Sequence, residues 1–245
     1  MAERLHVAIA KAGICSRRQA EKRISQGRVT VNGKVVSELG TKIDPAHDEI
    51  RVDDQIIPLP ERTVTVMLNK PKNVVTTSHD PHHRRTVIDL VSGVKERLFP
   101  VGRLDYHSEG LLVLTSDGRL SHLLQHPRHG VEKTYQVKVK GIPRKDALEN
   151  LKRGVVLDGR ITAPAQVEQL ALTESNTWLE ITIKEGRNRQ LRRMCAKVGH
   201  PVMKLKRTRY GPLSLGNLKP GSYRRLSNKE IKRLYQYGTG SDKNP

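Results

Sequence analysis

Residues Phe99 to Gly118, FPVGRLDYHSEGLLVLTSDG, set one carboxylate, Asp105, beside Arg103 and between two glycines, just ahead of an apolar run. Leu111, Leu112, Val113 and Leu114 have the length and side chains of a short buried strand, and the Asp117-Gly118 pair is a turn signal that closes it. Asp105 therefore falls on the loop entering a core strand. Loops held by a rigid scaffold are where catalytic groups concentrate. Arg103, two positions away, offers the carboxylate a counter-charge, although such a pair taken alone also describes an ordinary surface ion pair.

Outward from that strand the pattern mixes helix and strand. Val64, Val66 and Leu68 alternate as a half-buried strand, Tyr135, Val137 and Val139 as another, and Leu179, Ile181 and Ile183 alternate with Trp178, Glu180, Thr182 and Lys184 in a third. Helices are predicted over 145–153, over 189–198 and after Ser227, where Ser227 and Glu230 form a capping box. Strands outnumber helices and lack the strand, crossover, strand rhythm of a doubly wound fold. The expected class is α+β, a largely antiparallel sheet with helices on its faces.

The 245 residues allow one small and one medium domain. Leu5, Ala8, Ile9 and Ala12 recur at helical spacing, Ser16 with Gln19 caps a second helix, and Asn32-Gly33 lies between two β-branched runs as a hairpin turn. Ile50, Val52, Ile56 and Ile57 add strands around Asp53-Asp54. Residues 1–57 thus form a first domain, 58–63 a linker, 64–238 a second domain and 239–245 a disordered tail.

Charge narrows the partner. There are 45 Lys+Arg against 25 Asp+Glu, a formal charge of +20 spread along the chain, which favours a polyanion. Nucleic acid fits better than a membrane, because no stretch approaches the roughly 20 apolar residues of a spanning helix and the start does not resemble a signal peptide. Arg17, Arg18, Lys22 and Arg23 crowd one capped helix, and Arg28 with Lys34 carries the positive surface onto the hairpin, an edge suited to phosphates. Arg187, Arg189, Arg192 and Arg193 gather at the start of another predicted helix, where backbone N–H groups also attract phosphate. Cys15 and Cys195 lie far apart without CxxC spacing and read as free thiols of a reducing cytoplasm. His79, His82 and His83 have no second ligand cluster, so they read as a mobile polar loop and no metal site is expected.

Beyond these readings, GRLD followed by GLLVLTSDG resembles the active-site signature of the RsuA/RluB-type ribosomal RNA pseudouridine synthases. KPKNVVTTSHDPHHRRTVIDLV (70–91), EKTYQVKV (132–139) and KEGRNRQLRRMCAKVG (184–199) resemble further segments of that family in the same order, and SRRQAEKRISQGRVTVNGKVV resembles the S4 RNA-binding module. The resemblance implies an S4-like domain followed by a pseudouridine synthase domain with a mixed, mainly antiparallel sheet and a central cleft. It implies isomerisation of a uridine in ribosomal RNA, without cofactor or metal, by a monomer. It makes Asp105 the catalytic carboxylate, attacking or stabilising the sugar, sets Arg192 against it, and gives Tyr135 and Leu205 to the base. Arg103, Arg187 and Arg189 are left to grip RNA with Arg17, Arg18, Lys22, Arg28 and Lys34. Asn73 stands where the family has glycine in KPxG, and His107-Ser108 replaces a residue-Thr pair. Asn188-Arg189 looks closer to the large-subunit branch. The rival from another class is a catalytically silent RNA-binding ribosome-assembly factor on the same scaffold. A DNA-binding regulator lacks a helix-turn-helix signature.

Overall fold

The structure, a computed structural model, describes residues 2–59 and 62–240. Two positions of the expected linker and residues 241–245 of the expected tail lie outside that range. The chain divides into two compact units, residues 1–64 with 93–97, and residues 65–92 with 98–245. The sequence reading placed 93–97 in the second domain. They belong to the first unit, where the Arg97 guanidinium donates to the carbonyls of Ala10 and Cys15.

The first unit pairs helices Leu5–Lys11 and Arg17–Ser25 with a four-stranded sheet. Ser16 caps the second helix through the Gln19 N–H, and Gln19 reaches back to Ser16, so the predicted capping box is complete. The sheet runs Lys34–Val35, Val29–Val31, Ile50–Val52, Gln55–Ile56. Its tight turns need positive φ at both central residues. Asn32 (51°) with Gly33 (78°), and Asp53 (53°) with Asp54 (63°), supply it. Leu5, Ile9, Ile24, Val29 and Ile50 close the core.

The second unit is built on a nine-stranded sheet. Its main path runs Gln166–Leu172, Asn176–Ile183, Lys133–Lys140, Val202–Tyr210, Glu109–Thr115, Thr65–Lys70, Tyr223–Arg225. Phe99–Val101 and Leu213–Ser214 pair alongside. Among the described residues every pairing between these strands is antiparallel except that of Val202–Tyr210 with Glu109–Thr115, where Lys206 faces Glu109 and Arg207 faces Gly110. This parallel junction explains a glycine. A Cβ on Gly110 would lie 2.2 Å from the Arg207 carbonyl oxygen, and φ there is +110°.

Thr65–Lys70 is buried at all six positions rather than half-buried as its alternation suggested, because it lies inside the sheet and is covered on both faces. The Asp117-Gly118 pair also differs from expectation. Instead of closing a turn it opens helix Gly118–Gln125, with the Asp117 carboxylate accepting from the Arg119 and Leu120 N–H groups. The Tyr235 hydroxyl, on helix Asn228–Thr239, donates to the same carboxylate at 2.6 Å. Leu120, Leu124 and Leu234 of these two helices pack with Met67, Val101, Leu111 and Val113 of the sheet. The last helix includes Thr239, which the sequence reading gave to the tail. Helices Lys145–Arg153 and Gln190–Lys197 complete the unit.

Candidate active site

Asp105 sits on the loop between Phe99–Val101 and Glu109–Thr115, in the wall of a cleft of about 830 Å³ in the second unit. The loop is fixed from beneath by a residue the sequence reading passed over. Lys70, fully buried at the end of its strand, donates to the carbonyls of Pro71 (2.9 Å), Asp105 (3.2 Å) and Ser108 (2.8 Å). Burial pulls its ammonium down to about 8. A buried lysine needs several acceptors, and here three loop carbonyls serve. Thr76 adds a 2.7 Å hydrogen bond to the Leu104 carbonyl.

Asn73 occupies left-handed backbone (φ 62°), a conformation asparagine tolerates better than most residues, and its N–H donates to the Tyr106 carbonyl. Asparagine at this position therefore suits the turn.

The counter-charge on Asp105 does not come from Arg103, which is exposed along the cleft. Arg192 supplies it, with Nε 3.5 Å from Oδ2, and Arg189 adds a second cation at 3.9 Å. Arg192 is held by the Asp105 loop itself, since Nη2 donates to Ser108 Oγ at 3.2 Å and to the His107 carbonyl at 3.5 Å. Its side chain is 15% exposed, against 29% for Asp105, so the pair is shielded while the carboxylate still meets the cleft. Burial lowers the pKa of Arg192, and Asp105 opposes that shift. Arg189 precedes helix Gln190–Lys197 with φ of 47°, strained backbone for an arginine and of the kind that clusters at functional sites.

Tyr135 and Leu205 belong to adjacent strands and both line the cleft. Tyr135 pairs with Arg207 and Val137 with Leu205, so the tyrosine and the leucine are two rungs apart. Tyr135 is 8% exposed and Leu205 6%.

Two of the four arginines around residue 190 are tied down. Arg187 donates to the Arg160 (3.0 Å) and Ile161 (2.7 Å) carbonyls and pairs with Glu185 at 3.3 Å. Arg193 pairs with Asp158 at 2.6 Å. Both brace the hairpin Val156–Leu157 with Arg160–Ile161, for which the sequence reading had no strand. Neither the Arg187 contacts nor Lys70's role carries a periodic signal in sequence, because the carbonyls of Arg160, Ile161, Asp105 and Ser108 lie 26 to 38 positions away.

In the first unit Arg17, Arg18, Lys22, Arg28 and Lys34 are all exposed. Arg28 Nε donates to Asp53 at 2.6 Å, and Arg23 approaches the same carboxylate at 3.3 Å, so part of the predicted phosphate edge is internally neutralised. The histidine loop is pinned by Asp80, which accepts two hydrogen bonds from the Arg84 guanidinium at 3.0 and 2.7 Å and is held well below the usual carboxylate range by it.

Comparison with known proteins identifies both units by family. Residues 64–197 match the RNA pseudouridylate synthase family and residues 3–50 the S4 domain. The chain is 45% identical to ribosomal large subunit pseudouridine synthase B of Bacillus subtilis over 95% of each protein. It is 40% identical to an uncharacterized RNA pseudouridine synthase of Aquifex aeolicus, over 96% of this chain and 95% of that one. Among solved structures, a pseudouridylate synthase crystal structure aligns with a TM-score of 0.67 at 34% identity, covering 94% of this chain and 99% of that one. The sequence, the mixed sheet and the cleft around Asp105 therefore place the chain in the RNA pseudouridylate synthase family, with an S4 domain at its N-terminal end.

Proposed function

We propose that this synthase isomerises a uridine of large-subunit ribosomal RNA, with Asp105 acting at the ribose. The observation that carries the reading is a carboxylate in the wall of a cleft, 3.5 Å from a shielded arginine and fixed by a loop whose carbonyls a buried lysine gathers. The large-subunit assignment draws support from the B. subtilis relative.

Pseudouridine formation exchanges one bond for another. The C1′–N1 bond breaks with both electrons leaving on the base. C5 then bonds to C1′, the C5 proton is lost, and a proton returns to N1, so atoms and electrons balance without an outside reactant. Asp105 meets the electron-poor C1′ as the bond opens. Arg192 orients the carboxylate. Leu205 supports the ring of the uracil, and Tyr135 covers it and brings its hydroxyl toward the C5 proton.

A stacked uridine cannot undergo this exchange, so the target is extracted from its helix at a cost of a few kcal/mol. Phosphate contacts from Arg103, Arg189 and the exposed cations Arg17, Arg18, Lys22 and Lys34 offset that cost. Arg187 contributes by bracing its hairpin. A silent assembly factor would have no use for an acid inside a phosphate-attracting cleft, where it repels the ligand. Large- and small-subunit RNA transcripts incubated with the protein and mapped for pseudouridine should show one new site, in the large-subunit transcript. Product only in the small-subunit transcript would reassign the substrate.

A further inference from the structure

Arg207 lies two residues along its strand from Leu205, opposite Tyr135, and lines the same cleft. It is 2% exposed, yet among the described residues no carboxylate pairs with it. Its Nε donates to the Leu111 carbonyl at 2.7 Å across the parallel junction, and its guanidinium lies 5.0 Å from the centre of the Tyr210 ring. Its Nη2 is buried with no hydrogen-bond partner among the described residues. The contrast with Lys70 is direct, because the ammonium of that buried lysine has three carbonyl acceptors.

An unfilled donor on a buried cation is costly to keep, and such groups are retained where a ligand completes them. A second cation lies close by. Lys133 Nζ is 5.9 Å from the same Tyr210 ring and also lines the cleft. It is pulled down to about 8, chiefly by burial and further by the charge of Arg207. The acid acting on it, Glu185, is occupied by the Gln190 amide (2.7 Å) and the Ala163 N–H (3.1 Å). Lys133 Nζ donates to the Val131 (2.7 Å) and Lys184 (3.3 Å) carbonyls, so on this positive floor it is Arg207 Nη2 that lacks an acceptor among the described residues.

This inference rests on the isomerase reading above. When C1′–N1 breaks, the electron pair leaves on the base, and the detached uracil is an anion whose charge spreads over N1, O2 and O4. It stays in the cleft until C5 has turned to face C1′. We infer that Arg207 is a catalytic residue that donates from Nη2 to a uracil carbonyl oxygen and stabilises the detached, anionic base. The free donor, the buried positive charge and the position opposite Tyr135 are what such a role requires, and a preformed donor in a shielded site acts most strongly on charge that develops during reaction.

The test separates this role from Arg207's evident structural one, the bond to Leu111. R207K and R207Q are compared with wild type in single-turnover reactions on saturating large-subunit RNA transcript, carrying uridine or 5-fluorouridine at the target, and the rate is read as loss of that nucleoside, because fluorine on C5 cannot leave as the proton does and the fluorinated base stops once C5 has bonded to C1′. Fluorine makes the base a better leaving group, so the rate should depend less on outside stabilisation. Both variants should bind the transcript within about threefold of wild type and lose about 10²-fold in rate with uridine. At least tenfold of that loss should disappear with 5-fluorouridine. A loss of equal size on both transcripts, a loss within threefold, or failure of both variants to fold would overturn the inference and leave Arg207 as a pin between strands. If only R207K folds, the same comparison decides on it alone. Absence of product from the wild type would instead bring down the isomerase reading, and this inference with it.

Discussion

At the scale of single residues the site is a set of cations with different duties. Lys70 shapes the Asp105 loop, Arg192 holds the carboxylate, and Arg187 and Arg193 brace a neighbouring hairpin. Sequence made the acid legible, because an aspartate close to an arginine on the loop ahead of LLVL stands out in so basic a chain. Local spacing pointed to Arg103 as its partner, and only the family resemblance pointed to Arg192. Arg103 is close in sequence but exposed, whereas Arg192 arrives from a helix 87 positions on. Distances of that kind are set by the sheet and leave no local pattern. Tyr135 is 8% exposed, so its ring is packed while it still borders the cleft. Tyr135→Phe should therefore retain RNA affinity and stability while slowing turnover, since only the hydroxyl is removed. Tyr135→Ala should lower both turnover and affinity, and should destabilise the unit by about 3 kcal/mol through the cavity left behind. Equal and full activity in both variants, read by single-turnover assay, would make the tyrosine an ordinary packing residue.

At the scale of elements, the parallel junction between Val202–Tyr210 and Glu109–Thr115 does most to create the site. It sets the strand bearing Leu205 and Arg207 beside the strand that Asp105 precedes. Gly110 permits the approach. Gly110→Ala would drive a Cβ to 2.2 Å from the Arg207 carbonyl oxygen at a φ of +110°, with backbone rather than a flexible side chain in its path. It should cost more than about 3 kcal/mol in denaturant unfolding and depress activity at temperatures where the wild type is fully folded. A loss below about 1 kcal/mol would mean that the junction relaxes easily. Periodicity found four strands of the second unit's sheet, Thr65–Lys70, Glu109–Thr115, Lys133–Lys140 and Asn176–Ile183, and three of its helices, because alternation and capping are local signals. It misread Asp117-Gly118, since an aspartate before glycine is both a turn former and a helix cap. What decided between them was the apolar face of Gly118–Gln125, with Leu120 and Leu124 facing the core. The parallel junction had no sequence signature at all.

At the scale of the whole molecule, a charge of +20 is divided between a fold that catalyses and a fold that carries an exposed basic edge. Arg17, Arg18, Lys22 and Lys34 should each act through phosphate. Replacing any of them with Ala should reduce the slope of log affinity against log salt by about 0.7 to 0.9, while the rate on saturating RNA is preserved. Arg28→Ala should change the slope less, because Asp53 already neutralises that guanidinium. An unchanged slope in the quadruple variant would remove the first unit from RNA binding.

The central claim is that the Asp105 carboxylate performs the isomerisation, and Asp105→Asn tests it most directly. The substitution keeps the side chain's size and removes its charge. The measurement is single-turnover pseudouridine formation on saturating large-subunit transcript, with RNA affinity determined on the same preparation. Affinity within a few-fold of wild type and a rate lower by about 10⁴-fold or more is the predicted result, as for loss of a nucleophile elsewhere. Product formed by the asparagine variant at near the wild-type rate would contradict the account.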